Sequence, residues 1–139
     1  MKIRWTQGNV RFRITPSELA ALEQGEALQE VLGVGETASW SAEIVPQSAA
    51  TGINMLPGRV RVTLSAVDGL RLAAPDVEGV YFQQQGEPGL RYYIEKDFPC
   101  AHPRATEANE PPTETFEAPA GFEARKSAPL PTCMPETPE

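Results

Sequence analysis

Strict two-residue alternation of apolar and polar side chains recurs through the first 95 residues and constrains the fold more than any other feature. Ile3 and Trp5 alternate with Lys2 and Arg4, and Val10, Phe12 and Ile14 with Arg11 and Arg13. The pattern returns in Ala38, Trp40, Ala42 and Ile44, in Val60, Val62 and Leu64, and in the stretches 80–84 and 90–95. A period of two sends successive side chains to opposite faces of a strand, so each stretch predicts one buried face and one wet face. Gly8-Asn9 reads as a hairpin turn, and 85–89 as the connection of a second hairpin. A further strand is expected over 28–34, with Gly33 marking a bulge or bend.

The pattern becomes helical only around residues 16–24. Thr15 is a good N-cap, Pro16 suits the first helical position, and Glu18 completes a capping box. Leu19 and Leu22 share a face, and Gly25 ends the element. So short a helix does not persist alone in water and must dock on the sheet. Ser65 caps a short helical turn through Leu72, weakened by Gly69. Pro46–Gly58 reads as a loop, and no internal repeat is read from the chain. The expected fold is α+β: a mostly antiparallel sheet of six or seven strands with one short helix packed on one face. The alternative is a small, partly open β-barrel. Trp5, Phe12, Trp40, Phe82 and Tyr92 or Tyr93 fall on the apolar phase, where core packing is the usual role.

Composition changes at Pro99: nine of the fourteen prolines lie from there on. Such a segment buries too little apolar surface to offset chain entropy. The expected organisation is a domain over 1–104 and a disordered acidic tail over 105–139, with Phe116, Phe122 and Leu130 as its docking points. Of the net charge of −7, the part up to Phe98 holds nine Lys and Arg against twelve Asp and Glu, and the rest three against seven. A nearly balanced domain argues against nucleic-acid binding, which calls for a basic one. No apolar run has the length of a signal-peptide core or of a membrane span, so a cytoplasmic location is expected. Cys100 and Cys133 both fall in the proline-rich end, which does not suit a disulfide framework.

Two constellations carry chemistry. Lys96, Asp97, Cys100, His102 and Arg104 crowd the end of the last strand. A thiol beside cations is a potential nucleophile, but one histidine and two distant cysteines fall short of a four-ligand zinc site. The second constellation is basic: Lys2, Arg4, Arg11, Arg13, Arg59 and Arg61, joined by Arg91 and Lys96, with Asp97 at its margin. On neighbouring strands these would make a cationic sheet face suited to an anion or a carboxylate-rich partner. Glu43, Glu95 and Asp97 are placed to neutralise part of it, and the acidic tail to lie across it within a Debye length of about 8 Å.

The opening Met1-Lys-Ile-Arg4, the strand Arg11-Phe-Arg-Ile-Thr15 running into Glu18 and Leu22, and the closing Ile94-Glu-Lys-Asp-Phe98 with Cys100 and Arg104 resemble a family of small bacterial proteins that is a domain of unknown function. The resemblance spans roughly residues 1–104 and implies the domain boundary without implying an activity. The reading is therefore a non-enzymatic module, with no cofactor or metal, that binds an anionic ligand or protein partner through the basic face. The alternative is a thiol-dependent enzyme or redox protein using Cys100 with Lys96 and His102.

Overall fold

The computed structural model describes residues 1–36, 38–99 and 114–122. The chain opens with a tight hairpin, β1 (Lys2–Thr6) and β2 (Asn9–Ile14). Gly8 closes it at φ +83°, backbone that glycine adopts without steric cost. α1 (Pro16–Glu23) follows at once because Thr15 caps it: the Thr15 hydroxyl accepts from the Glu18 amide, and the Glu18 carboxylate accepts from the Thr15 amide at 2.8 Å. Leu19 and Leu22 form its buried face. A second hairpin, β3 (Leu28–Val34) and β4 (Ala38–Ser48), completes the first half.

The second half repeats this order. β5 (Gly52–Leu56) and β6 (Arg59–Ser65) form a hairpin closed by Gly58 at φ +69°. Ser65 then caps α2 (Ala66–Ala73) by accepting from the Asp68 amide, and β7 (Gly79–Gln84) and β8 (Leu90–Lys96) form the closing hairpin. Counterparts stand fifty positions apart: Gly8 and Gly58, Val10 and Val60, Thr15 and Ser65, Glu18 and Asp68, Leu22 and Leu72, Ile44 and Ile94.

The halves exchange hairpins. One sheet has the order β1-β2-β8-β7 and the other β3-β4-β6-β5, so each joins the opening hairpin of one half to the closing hairpin of the other. The joints are parallel and reciprocal: Phe12 lies opposite Ile94 in β2–β8, and Val62 opposite Ile44 in β4–β6. The inner faces of both sheets meet in one core, where Phe12, Ile14, Ile44, Val62, Leu72 and Ile94 have no exposed surface. Burying each such side chain stabilises the fold by roughly 1.5–3 kcal/mol.

The α+β class stands, while the single sheet, the lone helix and the absence of a repeat are corrected. Among the described residues there are eight strands in two sheets that do not close into a barrel, two helices, and an internal duplication. The expected loop at 46–58 contains the end of β4 and all of β5. β5 escaped notice because Ile53 is its one buried residue, in an edge strand otherwise built from Gly52, Asn54 and exposed Met55 and Leu56. The turn after Ser65 is a full helix because its cap outweighs the penalty at Gly69.

Of the expected tail, residues 105–113 and 123–139 lie outside the described residues, and with them Leu130. Residues 114–122 lie against the domain, with Phe116 and Phe122 at the contact. The Phe116 amide donates to the Asp97 carbonyl at 2.8 Å, and Phe122 is buried. The physical reason is aromatic clustering: the Phe98 ring is 6.0 Å from that of Phe116 and 4.9 Å from that of Phe122.

The Met1 amine closes the first half by pairing with Glu18 and, at 2.9 Å, with Glu30. Burial alone would lower its pKa, but hydrogen bonds to both carboxylates and their charges outweigh this, and the net shift is upward from 8.0. A raised folded-state pKa gives stability that is fully present below the unfolded value and is lost as pH rises through the folded one. The urea midpoint of the chain should therefore fall, as pH rises above the ordinary amine value of 8.0, more steeply than that of the same chain acetylated at Met1. Equal slopes would reject the contribution.

Candidate functional site

Strand register assembles the wet face of the β1-β2-β8-β7 sheet in rows. Lys2, Arg13 and Glu95 stand opposite one another in one row, and Arg4, Arg11, Tyr93 and Tyr81 cross all four strands in the next. Asn9, Arg91 and Gln83 form a third. Arg11 and Arg13 both point their Nε at Glu95 Oε2, each at 3.7 Å. The Arg11 guanidinium lies 5.4 Å from the Tyr93 ring, which meets Tyr81 edge-on at 5.4 Å. Burial and the charges of Glu95 and Glu78 raise the Tyr81 pKa, so its hydroxyl stays protonated well into the alkaline range. A shallow polar depression of about 180 Å³ lies between Arg11, Arg13, Tyr81 and Glu95, closed at one side by Phe98 and Phe122.

Four of the expected binding residues, Lys2, Arg4, Arg11 and Arg13, therefore share one face, and Arg91 joins them. Arg59 and Arg61 do not. They lie on β6 in the other sheet, where Arg61 pairs with Glu43 and Arg59 stands opposite Ser41 and Leu56. The hairpin exchange separates strands that alternation alone made look like neighbours.

Lys96 also departs from the expected face. It follows the inward phase of Tyr92 and Ile94, is only 7% exposed, and donates from Nζ to the Ala74 carbonyl at 2.7 Å. Burial lowers its pKa, against the opposing charge of Asp76. Asp97 is tied to the end of β2. Its amide donates to the Ile14 carbonyl at 2.9 Å, and Lys2 Nζ lies 2.9 Å from its Oδ2. That ion pair is close but off-axis, leaving buried Oδ2 a charge partner without a well-aligned hydrogen bond. Glu43, Glu95 and Asp97 thus take up the cations as expected.

Sequence reasoning missed Tyr81 and Tyr93 as members of the face, although the outward phase of their strands carried the signal. It also placed Trp5 in the core. Trp5 is 60% exposed and packs on Trp40 of the other sheet at 5.3 Å, beside Met55 and Leu90, around an apolar hollow of about 290 Å³. The thiol alternative rests on Cys100 and His102, which lie outside the described residues. Among the described residues no group of three or more His, Cys, Asp or Glu side chains is placed to hold a metal ion, and no helix is long and apolar enough to cross a membrane.

No curated protein and no solved structure matches the chain. A family of unknown function, DUF7009, matches over residues 1–120, from β1 through the aromatic segment that packs on the end of β8. The chain belongs to that family.

Proposed function

We propose that this domain is a binding module whose β1-β2-β8-β7 face takes a carboxylate-rich protein partner. The observation that carries this is charge distribution. A chain of net charge −7 gathers Lys2, Arg4, Arg11, Arg13 and Arg91 on one sheet face, against Glu95 and the adjoining Asp97. The face spans four strands, the breadth a protein surface requires. A small dianion is disfavoured because Glu95 already occupies the space between Arg11 and Arg13. Tyr93 and Tyr81 extend the cationic row with amphipathic rings, a residue type favoured where a polar surface must also give contact area.

The test is fluorescence anisotropy of a labelled glutamate-rich peptide against the full chain. Arg4→Glu with Arg11→Glu should weaken binding by about tenfold or more, and added salt should weaken binding to the parent chain. Arg61→Glu, on the opposite sheet, should leave binding unchanged. Equal loss in the two variants, or no loss in the double variant, would reject this face as the site.

A further inference from the structure

The seat of residues 114–122 and the basic face meet at two places. The first is Asp97. Its amide donates to the Ile14 carbonyl, and its own carbonyl accepts from the Phe116 amide at 2.8 Å, so main-chain bonds hold it on both sides. The Asp97 carboxylate stands 2.9 Å from Lys2 Nζ, one of the cations of the face. The second place is Phe122. Its ring packs 4.9 Å from that of Phe98, and both line the depression that Arg11 and Arg13 share. One end of the segment thus steadies the carboxylate that pairs with Lys2, and the other walls the hollow beside two arginines.

The contact is of a kind that opens without unfolding the sheets. Residues 114–122 lie outside both sheets. Rings and isolated hydrogen bonds hold them: Phe116 and Phe122 against Phe98, the Phe116 ring 5.7 Å from Lys96 Nζ, and the Ser17 hydroxyl donating to Glu114. Ordering the segment costs backbone entropy at every residue. Burial of two rings offsets that cost without the ladder of bonds that fixes a strand, which places the segment at the low-stability end of the structure. It also carries Glu114 and Glu117 and no cation. While seated, it meets an acidic partner with the partner's own sign of charge.

We propose that residues 114–122 are an autoinhibitory strap on the basic face. Seated, they hold Asp97 beside Lys2 and Phe122 beside the Arg11 and Arg13 depression, and a carboxylate-rich partner displaces them to engage that end of the face. The inference rests on the basic face being the partner's site and adds a regulator to it. Since the open fraction alone is competent, apparent affinity falls in proportion to the time the strap spends seated.

The test uses the full chain and the labelled glutamate-rich peptide. Phe116→Ala with Phe122→Ala removes both rings that seat the strap. This variant should bind the peptide about tenfold tighter than the parent chain, the gain for a strap seated about nine-tenths of the time. Ser17→Ala, at an exposed helix position, removes the partner of Glu114 and should tighten binding about twofold with the fold untouched. If the double variant does not fold, Ser17→Ala decides. In the parent chain, saturating peptide should speed hydrogen exchange of the Phe116 amide, whose bond to Asp97 breaks when the strap leaves. Binding that is unchanged or weaker in the variants, or Phe116 exchange that the peptide leaves unchanged or slows, would overturn the strap while the basic face stands. No binding by the parent or by either variant would reject the acidic partner itself, and this inference with it.

Discussion

Divided between residues 49 and 50, the chain is expected to yield two pieces that fold only together. Residues 1–49 contain β1 to β4 with α1, but β2 has lost β8 and β4 has lost β6. What is left is a pair of two-stranded hairpins, which are marginal at best in water, and a helix too short to stand alone. Phe12 and Ile44, fully buried in the intact chain, lose the strands that cover them, because their register partners Ile94 and Val62 are on the other piece. The separate pieces should therefore lack the whole of the folding free energy, on the order of 5–15 kcal/mol for a domain. Circular dichroism of each should show little strand signal, and equimolar mixing should restore it with second-order kinetics. The near-identity of the two joints allows one alternative pairing, in which Phe12 of one 1–49 copy meets Ile44 of another. Any folding of that piece should then depend on concentration. A folded, monomeric 1–49 would refute the reciprocal exchange.

The same reciprocity explains what could be read from the residues and what could not. Alternation reports which face of a strand is buried. It is silent about which strand lies alongside, since parallel and antiparallel neighbours impose the same period. The hairpins at Gly8 and 85–89 and the cap at Thr15 were therefore legible, because local chemistry decides them. The joints between β2 and β8 and between β4 and β6 were not, because the partners of the first lie 82 positions apart (9 to 91) and those of the second 18 apart (44 to 62), with all of β5 between them. The duplication was present as Val-Arg followed by matching caps at Thr15 and Ser65 with Glu18 and Asp68 three residues on. It was obscured where Phe12 is matched by Val62 at the equivalent position, and where Gly52 opens β5 and Pro57 follows it.

The candidate site divides along the same line. Lys2, Arg4, Arg11 and Arg13 belong to one hairpin, so their common face follows from local alternation. Assigning Arg59 and Arg61 to that face required a strand order the chain does not announce. The inward placement of Lys96 was readable, since it continues the phase of Tyr92 and Ile94, but its charge argued for the surface. The long aliphatic stem resolves the conflict: it lies inside while the ammonium reaches the Ala74 carbonyl.

Ile44 and Ile94 offer the sharpest energetic check of that duplication. Both have no exposed surface, and each sits in a strand flanked on both sides, opposite Val62 and Phe12 respectively in the parallel joints. Truncation of either to alanine removes apolar contacts and leaves a cavity that two flanking strands restrain from collapsing, at a cost of about 2–5 kcal/mol. Equivalent positions should give similar losses in urea or thermal unfolding, with the Ile94 site buffered slightly if the Phe12 ring shifts into the space. Combined, Ile44→Ala and Ile94→Ala should remove most or all of a stability on the order of 5–15 kcal/mol, leaving a chain without a cooperative transition. A double variant that still unfolds cooperatively near the parent midpoint would mean that the two joints do not share one core, and the reciprocal arrangement of the halves would have to be abandoned.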